Sequence, residues 1–311
     1  MGNFVLSRLV QLIPVLFLIS LIVFGIMHAL PGDPALLMLA GAEGGAIPPE
    51  RIAELRRQMG IDDPLPLQYW RFVSGAVVGD LGMSIRFREP VLDMILDRLG
   101  STVELAVAGL LCAMVIGIPL GLIAAVRQGG WIDAFCMTIS YLGASIPVYW
   151  LGLMLIFFFA ITLGWFPSAG GGSLHALALP ALTLGLISAG LIARLVRSSM
   201  IEVLQEDYMR TGRAKGLTRQ LLLWRHGIKN AMIPVVTMLG LQFGNMLAGT
   251  VVTETVFSRP GVGRLIVNAI LAMDYPLVQG AVMFLAVIYV LVNLGVDILY
   301  AYLDPRIRYG R

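Results

Sequence analysis

The chain has 311 residues, of which 58% are hydrophobic and only 13% charged, with a mean hydropathy of +0.85. A water-soluble domain cannot carry that much apolar surface without associating, so a soluble globular fold is excluded and the bilayer is the solvent that fits. The net charge of +3 is too small to point to nucleic acid, and the two cysteines, Cys112 and Cys136, both sit inside apolar runs and form neither a disulfide framework nor a metal spacing.

The first predicted element follows Arg8. Leu9 to Gly32 contains no Asp, Glu, Lys or Arg. It is too long for a signal h-region and lacks an Ala-x-Ala cleavage pattern, so it reads as a retained span over about 9–31. The next segment, 33–98, is patterned rather than loose. Pro48-Pro49-Glu50 opens a helix that runs through Ile52 and Leu55 and stops at Gly60. Pro64 to Val78 reads as a second helix carrying Tyr69, Trp70 and Phe72, and Val91, Ile95 and Leu99 share a face leading into the next span. A helical extracytoplasmic cap is expected over 33–98.

The second span is expected over 103–126, with Gly117 and Gly121 marking a close helix approach. Ala134–Ala193 is a charge-free run of 60 residues, which as one helix would reach about 90 Å, three times the hydrocarbon core. It must fold back, and Trp165-Phe166-Pro167-Ser168 with the following Gly170-Gly171-Gly172-Ser173 is the natural break. Spans are therefore expected over 133–163 and 176–196, then 230–253 and 277–302. The expected fold is an all-α membrane protein with six transmembrane helices in a single domain over 1–311, since no barrel shows runs like these.

Orientation follows from Lys and Arg. With the N-terminus inside, the inner segments hold thirteen, including Arg8, Arg127, eight between Arg194 and Lys229, and Arg306, Arg308 and Arg311. The short outer loops hold only Arg259 and Arg264, and the seven in 33–98 count for little because long segments translocate largely regardless of charge. Both termini are expected in the cytoplasm.

Enzymatic parts are missing. His28, His175 and His226 are not paired with one another or with Cys at metal-ligand spacing. No Gly-x-Ser-x-Gly, His-Glu-x-x-His or P-loop pattern occurs, and Gly261-Val262-Gly263 is too short for a nucleotide loop with no strand before it. Glu104 and Asp297 fall near helix ends, where snorkelling suffices. The mid-membrane polar residues are mostly neutral. Gln242 and Asn245 are three apart on the fifth span and share a face with Gly249, which reads either as interhelical hydrogen bonding or as one wall of a polar path. On the residues alone, a secondary carrier or channel stays open beside a pump energised by a partner.

The inner segment over 202–228 is the most informative. From Glu202 to Arg219 its acidic residues come first and its basic ones later, which suits a helix dipole. Gly216 stops that helix as a glycine just past a helix end does, and a second helical stretch runs from Gln220 to Asn230.

Here the residues carry a resemblance over nearly the whole chain. The stretches concerned are Leu30-Pro31-Gly32-Asp33-Pro34, Gly79-Asp80-Leu81-Gly82-Met83-Ser84, and the inner run Asp207-Tyr208-Met209-Arg210-Thr211-Gly212-Arg213-Ala214-Lys215-Gly216. After them come Arg225-His226, Asn230-Ala231-Met232-Ile233-Pro234, Glu254-Thr255-Val256-Phe257, Pro260-Gly261-Val262-Gly263-Arg264-Leu265 and the tail Asp304-Pro305-Arg306-Ile307-Arg308. Together they resemble the inner-membrane permeases of binding-protein-dependent ABC importers, in the branch that moves dipeptides, oligopeptides, nickel or glutathione. The resemblance implies a second homologous permease, two ATP-binding subunits that hold ATP and Mg, an extracytoplasmic solute-binding protein, and no cofactor or metal in this chain. It implies transport across a bacterial inner membrane by alternating access, with peptide the first expected cargo, glutathione close behind and nickel after them. It also implies that Asp207, Arg210, Gly212, Arg213, Lys215 and Gly216 belong to a cytoplasmic coupling helix that docks on the ATPase. The family's Glu-Ala-Ala positions are Arg210-Thr211-Gly212 here; only Gly216 matches cleanly, and peptide-type members usually have Ala where this chain has Gly212.

Overall fold

The computed structural model describes residues 2–29, 35, 36, 39, 48–58 and 60–303. The Leu30–Pro34 motif and the Asp304–Arg308 tail lie outside the described residues. Among those described, the regular secondary structure is all helical, apart from an isolated β-bridge between Met83 and Pro90. The helices, in chain order, are α1 (Gly2–Ala29), α2 (Pro49–Gln58), α3 (Leu65–Val77), α4 (Val91–Val126), α5 (Trp131–Ser145) and α6 (Val148–Thr162), followed by α7 (Leu174–Gln205), α8 (Asp207–Ala214), α9 (Arg219–Val256), α10 (Val262–Leu271) and α11 (Tyr275–Leu303). Five are long and apolar enough to cross a membrane, and the α5–α6 pair brings the number to six if it is one broken span.

The expected unbroken helix over 133–163 is where the structure departs most from the sequence. α5 and α6 meet at an angle of 104°. The cause is Pro147, which has no N–H to give and pushes the residue before it out of the helical region; Ile146 is extended at φ −80°, ψ 130°. The 60-residue run thus has two breaks. The second is where it was expected: α6 closes in a π-helical stretch over Ile156–Thr162, and Ser173 caps α7 by accepting from Ala176 N at 3.1 Å.

The chain forms two compact units. The first holds residues 1–100 and 261–291. Its core joins Val91, Met94 and Ile95 of α4 to Val262 and Leu265 of α10 and Leu277 of α11. The Gly79–Ser84 motif is fixed by a residue the sequence reading passed over. Buried Asp274 accepts from Ser84 Oγ at 2.5 Å and from the backbone N–H of Ile85 (3.1 Å), Arg86 (3.2 Å) and Leu277 (3.3 Å). A buried carboxylate this well supplied with donors holds its loop in one conformation. α3 lies along α1: the Tyr69 hydroxyl is 2.7 Å from Ser20 Oγ, and its ring meets Phe24 edge-on at 5.4 Å. Those α1 residues are inside the apolar stretch, so α3 is packed on a span for much of its length.

The second unit holds residues 101–260 and 292–311, with α7 as its hub against α5, α6 and α9. Gly117 and Gly121 of α4 make the close approach their spacing suggested. A Cβ on Gly121 would stand 2.5 Å from the carbonyl oxygen of Ala193, and one on Gly117 would stand 2.7 Å from that of Ala189. At the start of α5, Asp133 accepts a two-pronged ion pair from Arg197 of α7, at 2.6 and 2.7 Å, and a third bond from Gly129 N at 2.9 Å. Planar, two-point geometry of this kind fixes orientation as well as adding energy.

Candidate functional site

α8 is short, set apart, and fastened at both ends and along its inner side. Glu206, extended at ψ 147°, separates it from α7. Its C-terminus closes as the sequence suggested: Gly216 sits at φ +78°, its N–H reaches Arg213 O at 3.0 Å, and Leu217 N reaches Gly212 O at 3.2 Å. This is the paired 5→2 and 6→1 arrangement that satisfies the last carbonyls of a helix, and it requires a left-handed residue at the glycine position. Thr218 then caps α9, accepting weakly from Leu221 N at 3.4 Å.

The inner side of α8 is apolar. Met209 is 1% exposed and Gly212 is buried. Leu222 of α9 comes so near Gly212 that a Cβ there would stand 2.5 Å from Leu222 Cδ2. Burying a side chain such as Met209 contributes about 1.5–3 kcal/mol. Polar ties complete the fastening. Asn230 Nδ2 donates to the Tyr208 hydroxyl at 2.9 Å, and Arg213 Nη2 donates to Leu204 O at 3.3 Å. Asp207, Arg210 and Lys215 are exposed, and the Asp207–Arg210 pair at 3.6 Å is a surface contact of small energetic weight.

Of the six residues the resemblance assigned to coupling, four (Asp207, Arg210, Arg213 and Lys215) are exposed charges, Gly212 is a packing contact, and Gly216 is the turn. The residues that seat the helix, Met209, Tyr208, Leu222 and Asn230, went unassigned. Met209 and Gly212 stand three apart on one face, a signal the sequence offered.

The second candidate group divides. Gln242 Nε2 donates to Ser188 Oγ of α7 at 2.7 Å, and a Cβ on Gly249 would stand 3.3 Å from Leu184 of the same helix. Asn245 is exposed. So Gln242 and Gly249 pack α9 onto α7, while Asn245 is left facing outward. Gln242→Leu should lower thermal stability by about 1 kcal/mol, the usual net value of one hydrogen bond. Thermal melts of the purified chain check this, and an unchanged melting temperature would show the bond to be dispensable.

A third group appears only in three dimensions. Glu254 is fully buried and accepts from Thr102 Oγ1 at 2.7 Å. Arg259, 1% exposed, is ion-paired with Glu104 and donates Nε to Ser101 O at 3.5 Å. Glu104 is therefore more than a snorkelling helix-end charge. Among the described residues no group of three or more His, Cys, Asp or Glu could hold a metal ion.

Comparison with known proteins settles the family. Residues 117–309 match the model for the binding-protein-dependent transport system inner membrane component, and residues 1–106 match the N-terminal model for the membrane component of such systems. The chain belongs to the binding-protein-dependent transport permeases. Among its relatives, the glutathione transport system permease protein GsiC of Escherichia coli (strain K12) is 46% identical over 309 residues, covering 99% of this permease and all of that one. The same protein from Shigella dysenteriae is equally similar. This places the permease in the branch its motifs resemble, as a multi-pass transport subunit of an ABC importer. Among solved structures, the MetNI methionine ABC transporter in an inward-facing conformation aligns with a TM-score of 0.60 at 17% identity, covering 68% of this permease and 96% of that chain. An amino acid ABC transporter aligns with a TM-score of 0.52 at 16% identity, over 69% and 94%. These two likenesses concern the fold alone.

Proposed function

We propose that this permease is one of two homologous membrane subunits of an ATP-driven importer whose cargo is glutathione or a short peptide. The single observation that carries the reading is α8, an eight-residue helix fastened between two spans, with its charged residues exposed and a glycine-dependent stop. A membrane subunit with no nucleotide loop can receive ATP energy only through a contact that moves, and α8 has the compactness and the double tether such a contact needs. The partners would be a second permease, two ATP-binding subunits that hold ATP and Mg, and an extracytoplasmic solute-binding protein, working by alternating access. Glutathione stands first as cargo because the relatives of 46% identity are glutathione permeases by name.

The test is uptake of labelled glutathione and of labelled di- and tripeptides by cells carrying or lacking the permease. ATP-dependent accumulation that disappears with the gene supports the reading. Transport by the chain alone in vesicles without ATPase subunits would overturn it.

Both termini would lie in the cytoplasm, with 33–98 outside. In a background where Cys112 and Cys136 are replaced, Asp62→Cys should react with an impermeant maleimide in whole cells and Lys215→Cys only after lysis. Labelling of Lys215→Cys in intact cells would invert the orientation.

A further inference from the structure

The expected extracytoplasmic cap includes α3, yet this helix runs down beside two spans to the level of their middles. Its polar contacts give the direction. Gln68 Oε1 is 3.0 Å from His28 Nε2, at the end of the α1 span, and Tyr69 meets Ser20, eight residues further in. Beyond Tyr69, α3 shares with α1 and α11 a groove of 520 Å³ whose lining includes Phe17, Val73, Val77, Met283 and Val287. Phe17, Met283 and Val287 all stand at least eight residues inside either end of their spans, which is about 12 Å along a helix. Half the hydrocarbon core is about 15 Å. The last turns of α3 are therefore at acyl-chain depth, whichever way the chain is oriented.

What α3 exposes suits that depth. None of its side chains is buried, and Trp70, Val77 and the following Val78 are 67%, 82% and 79% exposed. From Leu65 to Val78 the only charged residue is Arg71. Its guanidinium reaches back to pair with Asp63, ahead of the helix, as a snorkelling side chain does. The chain then turns at Gly79, at φ +84°, and climbs. A Cβ on Gly280 would stand 3.1 Å from Leu81 Cβ, one on Gly82 would stand 3.9 Å from Pro276 Cβ, and Ser84 ends on Asp274, just before α11. Asp80 accepts from Gly82 N at 2.9 Å, so its carboxylate too is turned toward the rising limb. The backbone at the turn is satisfied from within, as hydrocarbon demands: Val78 N and Asp80 N reach Gly75 O at 3.1 and 2.9 Å, and Gly79 N reaches Ala76 O at 3.2 Å.

We propose that residues 65–84 form a re-entrant helix and loop set in one leaflet, the outer one in the orientation given above, with the exposed face of α3 covered by lipid acyl chains. Depth and continuity identify the occupant. Ile13 and Phe17 of α1, 68% and 57% exposed, open onto the same groove, so the face of α3 continues the surface of a span. A water-soluble partner would have to enter the hydrocarbon to reach it. The inference rests on the chain being membrane-embedded and not on its cargo or its ATPase, so its test needs neither.

With Cys112 and Cys136 replaced, Asp62→Cys, Leu65→Cys, Val77→Cys and Val78→Cys are each spin-labelled on the full-length permease in phospholipid vesicles. All four positions are exposed, so the label displaces no packing. Power-saturation EPR then reads collisions with oxygen, which concentrates in hydrocarbon, and with a neutral nickel chelate, which stays in water. Nickel collisions at Val77 and Val78 should be about tenfold fewer than at Asp62, because a polar complex gives up its water only at a cost. Oxygen collisions should be more frequent there than at Asp62, and Leu65 should fall between. Nickel collisions at Val77 and Val78 as frequent as at Asp62 would put the end of α3 in water. Few collisions with either reagent would put protein over it, and equal depth at Leu65 and Val77 would lay the helix flat on the surface. Each of these results would overturn the proposal.

Discussion

Gly216→Val should leave the permease inserted and assembled while cutting the stimulation of ATP hydrolysis by loaded binding protein about tenfold or more, the effect expected of strain near 1.4 kcal/mol. The cause is backbone geometry and not collision. A Cβ at Gly216 would meet nothing within 4 Å, but φ is +78°. A left-handed conformation costs an L residue roughly 1–2 kcal/mol, and a β-branched one more. The turn relieves the strain by giving up the bonds from Gly216 N and Leu217 N, which are what end α8 and set the angle at which Thr218 starts α9. Asn tolerates this region best after glycine, so the order of stimulation should be Gly, Asn, Ala, Val. Reconstituted complexes checked by pull-down give the readout. Normal stimulation by Gly216→Val would remove the turn from the coupling path, and with it the main support for α8 as the moving contact.

The second large effect concerns packing. Gly121→Ala should destabilise the permease even though alanine favours a helix over glycine by about 1 kcal/mol. The added carbon would stand 2.5 Å from the Ala193 carbonyl oxygen and 2.7 Å from Val196 Cβ, and backbone does not step aside as a flexible side-chain tip does. Overpacking of this kind costs roughly 1–3 kcal/mol. Gly100, on the same helix α4, has nothing within 4 Å of a built Cβ. Gly100→Ala should therefore be neutral or raise stability by up to about 1 kcal/mol. Thermal melts of the two variants in one detergent should move in opposite directions. If both rise, the α4–α7 approach is looser than the structure has it.

The spans were legible because charge is so costly in hydrocarbon that its absence over about twenty residues is a signal in itself. Gly216 was legible because a glycine after a basic last turn has few other uses. What escaped was set by contacts between distant residues or by a competing local rule. Pro147 lies in a uniformly apolar run, and many membrane helices tolerate proline, so the 104° break left no mark beyond the proline itself. Arg259 and Glu104 are 155 residues apart, and nothing local couples them. Gly212 reads as a weak point in a helix until Leu222 is seen occupying the space a methyl group would need.

The bond from Ser84 to Asp274 spans 190 residues, and it bears on the order in which the permease can be made. The first unit is assembled from the opening hundred residues and from 261–291, whereas most of the second comes from the uninterrupted stretch 101–260. Contacts that distant in sequence form late, because the loop between them must close first. During synthesis the stretch 101–260 can settle while Val91, Met94 and Ile95 still wait for Val262, Leu265 and Leu277 to leave the ribosome. The unit whose translation begins first is therefore left open until residues 261–291 have been made, and a chain stalled after Pro260 would present those three side chains, and an unanswered Ser84 loop, to the quality-control machinery of the membrane.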